Sequence, residues 1–250
     1  MAVTIHQIAA YQDANGNRIE FTGPAPLLSG ITVLFRGSNN VLTVDPAARI
    51  HKLYLRFDSH NGRCRIGGNT AVAPLKAGIR VGQDSSVEIG DDVSTTAHVD
   101  ISAVEGTSVT IGDDVMIATG VRLRTDDGHP IFTVSDGQRV NPSRSIEVGD
   151  HVWLSIDSFL LGGAGIGDGS VVGARALVTK RFPNNCIVAG VPAKVIRRDV
   201  AWERPHLSVT PPYYKPDAST VEKSPYWNPT ADESQLTEDD PTVGEEAGAP

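Results

Sequence analysis

Histidines carry the chain's proton chemistry near neutral pH, since the imidazole pKa of ~6.5 lets it take and return a proton there. Of the seven present, His129 ends the stretch Arg124-Thr-Asp-Asp-Gly-His129, with Asp126 and Asp127 three and two residues before it. Such a histidine can draw the proton from a hydroxyl, a poor nucleophile while protonated. A carboxylate on Nδ1 would fix the tautomer that leaves Nε2 free to accept. Either aspartate can fill that place, and both can equally be solvated turn residues. His98, His129 and His151 do not have the spacing of a metal-ligand set, and Cys64 and Cys186 stand far apart without a ligand pattern. No metal is therefore expected, and the cysteines read as buried, reduced thiols.

The elements that must position His129 follow from an internal repeat. Val148, Leu154, Leu160, Ile166, Val172 and Val178 fall six residues apart, which is neither the 3.6 of a helix nor the 2 of a half-buried strand. A spacing of six implies a short strand, a turn and another short strand. Ile89-Gly-Asp-Asp-Val, Ile111-Gly-Asp-Asp-Val, Val148-Gly-Asp-His-Val and Ile166-Gly-Asp-Gly-Ser are versions of one corner phrase. Gly and Asp supply its turn chemistry while the aliphatics point inward. His151, within that phrase, is expected to face solvent. Three hexads make a triangular coil of 18 residues. Towards the N-terminus the spacing widens by four or five residues, read as additions at a corner, and between Ile111 and Val148 an excursion leaves the solenoid at about 125–143. His129 lies in that excursion.

Composition agrees with an all-β body: 40% hydrophobic, 6% aromatic and 25 glycines suit thin β-layers. The net charge of −8 is concentrated in residues 231–250, which hold seven acids and no Lys or Arg. The rest is nearly neutral, so neither nucleic acid nor an anionic membrane surface is indicated. No apolar run approaches the ~18 residues of a membrane span and the start lacks signal-peptide character, so no membrane insertion and a cytoplasmic location are expected. The division predicted is an N-terminal cap at 1–40, a repeat body at 41–190, a short C-terminal helix at 191–204, and at 205–250 an extended arm, packed through Tyr213, Tyr214, Tyr226 and Trp227, followed by a disordered acidic tail.

Periodicity gives no handedness, because parallel crossovers are right-handed in ~98% of cases. Resemblance does. Gly128-His-Pro-Ile131, Val148-Gly-Asp-His-Val-Trp-Leu154, and Val178-Thr-Lys-Arg-Phe-Pro with Ile187-Val-Ala-Gly-Val-Pro-Ala-Lys-Val-Ile-Arg197 resemble the hexapeptide-repeat acyltransferases. Among these the chain is similar to galactoside and maltose O-acetyltransferases and, through Gly137-Gln-Arg-Val-Asn-Pro and Val200-Ala-Trp-Glu-Arg-Pro-His-Leu207, to acetyltransferases of bacterial surface-polysaccharide loci. The resemblance implies a left-handed parallel β-helix, usually a homotrimer, that moves an acetyl group from acetyl-CoA to a hydroxyl of a sugar or glycan.

It also implies roles. His129 would be the general base and Asp127, matching the Asp two before His in the polysaccharide-locus group, its orienter. A backbone N–H after Trp153, at Ser155 or Ile156, would meet the oxyanion, a donor worth about 3 kcal/mol. Gly173 and Ala174 would let the pantetheine arm approach the backbone, while Arg175, where the family has a small residue, would either bind a phosphate or obstruct the arm. Lys180, Lys194 and Arg197 would meet the CoA phosphates. His98 is an alternative base reaching a neighbouring subunit's site. Competing readings are a nucleotide-sugar N-acetyltransferase and a non-catalytic solenoid that has lost CoA.

Overall fold

The six-residue frame places successive aliphatics on three different walls. Val148 and Ile166 pair on one, Leu154 and Val172 on the next, Leu160 and Val178 on the third, and all six are buried. The computed structural model describes residues 2–22, 27–207 and 217–232. Its strands form three stacked, almost wholly parallel faces around a single aliphatic core, the left-handed parallel β-helix implied by the resemblance. The first face includes Arg49–Phe57, Leu75–Val81, Val99–Ala103, Arg122–Arg124, Phe159–Leu161 and Leu177–Val178. The second runs from Arg18–Glu20 through Ser86–Ile89, Ser108–Ile111 and Ile146–Val148 to Arg181–Phe182. The third runs from Ser94–Thr95 through Trp153–Leu154 to Ile187–Gly190.

Each wall is a vertical register of one inward side chain per coil. On the second, Ile66, Ile89, Ile111, Val148, Ile166 and Phe182 stack in line. The extra residues of the early coils do not sit at a corner, as expected, but in the walls. Leu75–Val81 has seven residues and Val99–Ala103 five, against three in Phe159–Leu161. The prism therefore narrows towards its C-terminal end.

Glycine and aspartate divide the work of the corner phrase. The residue in the left-handed region is not the first glycine but the fourth of the phrase: Asp92, Asp114, His151 and Gly169, with φ of 52°, 55°, 52° and 67°. Gly90, Gly112 and Gly149 are needed because the aspartate of the next coil occupies the space a Cβ would fill. That aspartate accepts from the backbone of the coil before: Asp91 N donates to Asp113 Oδ1 at 2.7 Å, Asp113 N to Asp150 Oδ1 at 2.8 Å, and Asp150 N to Asp168 Oδ1 at 2.8 Å. A ladder of carboxylates thus staples the corner along the solenoid axis.

Both ends reverse direction. Val3–Ile5 pairs antiparallel with Ile31–Phe35, and Tyr11–Gln12 with Arg18–Glu20. Parallel stacking already includes Arg18–Glu20 and Ile31–Phe35, so it reaches back before residue 41. At the other end the expected C-terminal helix is absent; Ala193–Arg197 is a strand antiparallel to Ile187–Gly190. A helix there would have left the edge of the third wall without ladder partners, whereas the strand consumes them.

The chain then crosses the corner between the second and third faces, and His151 departs from its expected exposure. It is buried, stacked between the rings of Trp202 and Tyr226 at centroid distances of 4.3 and 4.9 Å. Its Nδ1 lies 2.6 Å from Asp114 Oδ2 and its Nε2 2.9 Å from the Trp202 carbonyl. Arg204 Nε donates to the other Asp114 oxygen at 2.6 Å. Of the aromatic residues of the arm, Tyr226 stacks on His151 as described, and Trp227, half exposed, donates its Nε1 to Glu203 at 2.7 Å. Tyr213, Tyr214 and the acidic tail beyond Asp232 lie outside the described residues. Cys64 and Cys186 are buried, and burial pushes the Cys64 thiol up to about 12. Among the described residues no helix is long and apolar enough to cross a membrane.

Candidate active site

The excursion leaves the prism after Arg122–Arg124 on the first face and returns at Ile146–Val148 on the second, so it hangs from the corner between them. Asn141 folds it. Its Nδ2 donates to the His129 carbonyl and to Asp127 Oδ2, both at 2.9 Å, while its Oδ1 accepts from Ile131 N at 2.7 Å. Glu105, on the corner of the preceding coil, anchors the return limb by accepting from Arg139 Nη2 at 2.9 Å and Ser143 Oγ at 2.8 Å. These two donors hold the Glu105 carboxyl below its usual range. His129 is exposed on this clamped loop, its imidazole outside the hydrogen-bond set.

The two candidate orienters separate. Asp126 is turned into the prism surface, 3.4 Å from Arg124 and 3.9 Å from Arg80, whereas Asp127 is exposed and takes the Asn141 amide. Asp127 rather than Asp126 remains available to an imidazole. Beneath the loop, Thr125, Asp127, Asn141, Arg144, Leu161 and Thr179 are among the residues lining a cavity of about 450 Å³.

At the C-terminal end of the prism, Lys180, Lys194 and Arg197 come together, with Arg198, around a second cavity of about 550 Å³. Sequence reasoning had chosen these three as phosphate ligands on resemblance, and the antiparallel Ala193–Arg197 strand is what gathers them. Thr179 and Lys180, adjacent in the chain, link the two cavities.

The remaining candidates lie on another edge. Trp153, Ser155, Ile156, Gly173 and Ala174 belong to the third face and its corner with the first. Ser155 N donates to the Val172 carbonyl at 3.0 Å and Gly173 N to that of Val188 at 2.7 Å, so both are spent in the ladder. Ile156 N–H takes no partner among the described residues, and the side chain is 48% exposed. The missing side chain of Gly173 makes room for Ala189 of the next coil, 2.9 Å from where its Cβ would stand, a packing reason independent of any ligand. Arg175 points away, its side chain 85% exposed and 3.8 Å from Asp157. Hence the His129 loop and the Ile156 donor border opposite edges of the first face. Asn141 and Glu105 were missed as supports, although Asn141 stands in the quoted Gly137-to-Pro142 motif.

No family model matches the chain. It is 36% identical over 132 residues to the galactoside O-acetyltransferase of Escherichia coli K12, 53% of this chain and 62% of that one. It is 36% identical over 89 residues to the polysialic acid O-acetyltransferase of Escherichia coli O1:K1 / APEC, 36% of this chain and 29% of that one. The chain thus spans less than two thirds of these curated relatives. The crystal structure of the polySia-specific acetyltransferase NeuO superposes with a TM-score of 0.65 at 30% identity, over 76% of this chain and 89% of that one.

Proposed function

The chain belongs to the hexapeptide-repeat acetyltransferases, and on that premise we propose that it transfers an acetyl group from acetyl-CoA to a hydroxyl of a sugar or glycan, with His129 as general base. The observation that carries this is the clamped excursion, which holds the histidine of the family motif away from the prism by three Asn141 hydrogen bonds. The acetyl-CoA thioester supplies the activated acyl group. His129 Nε2 takes the hydroxyl proton as the acceptor oxygen attacks and then returns it to the leaving thiolate. Asp127 orients the imidazole. Ile156 N–H, unspent in the ladder, is the oxyanion donor of the two considered. The residues present fit a CoA molecule: Lys180, Lys194 and Arg197 ring one cavity as cationic ligands for its phosphates.

The wide separation of His129 and Ile156 on opposite edges of one face supports a site completed by a second chain, with the loop of one subunit over the third-face corner of the next. A homotrimer closes such a heterologous contact. A sedimentation mass of one chain at micromolar concentration would remove this assembly. For the reaction, His129→Ala should lower acetyl transfer by roughly 10²- to 10⁴-fold while acetyl-CoA still raises the melting temperature. Wild-type turnover in that variant would sink the base assignment. No thermal shift with acetyl-CoA in the wild type would favour the non-catalytic solenoid.

A further inference from the structure

The C-terminal end of the prism gathers positive charge that no described acid answers. Lys180, Lys194, Arg197 and Arg198 line the cavity of about 550 Å³, and no acid is among the residues lining it. Lys180, Lys194 and Arg197 form no ion pair among the described residues; the Lys180 ammonium lies 5.3 Å from the centre of the Phe182 ring. Ile196, on the same terminal strand, is 64% exposed. The arginines of the first face differ, because Asp58 is shared by Arg56 and Arg80, and Asp126 by Arg80 and Arg124.

The chain's own negative charge is led to this place. Thr230 N donates to Asp199 Oδ1 at 2.9 Å, Ala231 N to Asn184 Oδ1 at 2.8 Å, and Arg198 Nη1 to the Ala231 carbonyl at 3.4 Å. Arg198 both holds this backbone and lines the cavity, so the chain beyond Asp232 sets out from the cavity's rim. That onward sequence, 233–250, holds six acids and no Lys or Arg, with Glu238-Asp239-Asp240 and Glu245-Glu246 grouped and Leu236 and Val243 among them. The six residues from Asp232 to Glu238 reach up to roughly 20 Å, which leaves slack for the acids to turn back into the cavity.

We propose that the acidic segment 238–246 is an internal ligand of this cavity, which takes the place of the CoA phosphates and holds back transfer until acetyl-CoA displaces it. The docking stands on charge and tether; that it opposes CoA rests on the acetyl-transfer reading. Grouped carboxylates offer ammonium and guanidinium groups the charge-assisted hydrogen bonds that phosphates offer, and Leu236 or Val243 supplies apolar cover for Ile196. A short tether presents its ligand at about millimolar effective concentration, so a weak attraction is enough to fill the cavity. Because the contact is ionic and exposed, it weakens with salt.

The test compares the full chain with its Glu238→Gln/Asp239→Asn/Asp240→Asn/Glu245→Gln/Glu246→Gln variant, reading acetyl-CoA affinity by calorimetry at two salt concentrations. Expected is an affinity at least threefold tighter in the variant at low salt, a gap that closes at high salt, and kcat at saturating acetyl-CoA unchanged. A labelled peptide of residues 233–250 should bind the neutralised variant, be displaced by CoA, and fail to bind once Lys194→Glu/Arg197→Glu is added. Should that reversal lower the melting temperature, Lys194→Gln/Arg197→Gln takes its place with the same loss expected. Equal acetyl-CoA affinities, a peptide that binds alongside CoA, or peptide binding that survives the loss of both cations would each overturn the proposal. So would a wild-type affinity that falls as protein concentration rises, since the segment would then sit on another molecule. If the peptide bound and the cation variants abolished it while neither chain bound acetyl-CoA, the docking would stand. The acetyl-transfer reading would then fall, together with the displacement that rests on it.

Discussion

Asn141 and His151 show how unequal the residue scale is in what a sequence reveals. His129 stands out in the sequence as the proposed base because its type, its motif and its place outside the repeat agree. Asn141 does not, because an asparagine in a loop is ordinary until its three partners are seen. Asn141→Ala should lower turnover by roughly 10²-fold through misplacement of the imidazole while leaving the acetyl-CoA thermal shift intact; full activity would show that the loop holds itself. His151 was misread because its corner phrase resembles exposed ones, and only the distant Trp202 and Tyr226 bury it. Burial alone would lower its pKa, but the Asp114 carboxylate and the Trp202 carbonyl outweigh burial and raise it. Both ring nitrogens face acceptors, which suits the doubly protonated ring. The stabilisation is therefore complete below the unfolded value of ~6.5 and is lost as pH rises through the higher folded value. The melting temperature should fall across that window, and His151→Gln should flatten the dependence; an unchanged profile would show that the charge is immaterial.

At the scale of elements, the six-residue frame and the excursion could be read directly, since large aliphatics at fixed spacing have few other uses. The C-terminal strand could not, because Pro192-Ala-Lys-Val-Ile-Arg197 suits a short helix as well as a strand, and the open edge of Ile187–Gly190 decides between them. At the corner glycines the sequence shows turn chemistry but not its division of labour: the next coil's aspartate, not a positive φ, forbids a side chain there. Gly112→Ala should therefore destabilise the chain by about 1–3 kcal/mol, measured by denaturant unfolding, because the added methyl collides with the Asp150 carboxylate. An equal loss for Gly106→Ala, where nothing crowds the Cβ but φ is 74°, would point instead to backbone strain alone.

The whole molecule is a stack that could in principle go on adding coils, and its antiparallel ends bear on that. A parallel ladder left open is a template on which another chain can dock and be docked upon in turn. Val3–Ile5, Tyr11–Gln12 and Ala193–Arg197 each turn back across an exposed rung, while Lys180 and Arg181 set charge at the final coil and Asn184 holds Pro229 and Ala231 across it. These segments act as chain terminators for a one-dimensional crystal. Truncation at Gly190 should remove the stop, and light scattering should then reveal end-to-end filaments growing with protein concentration. Such growth would identify the C-terminal reversal, rather than the prism walls, as what makes the protein a particle of fixed length.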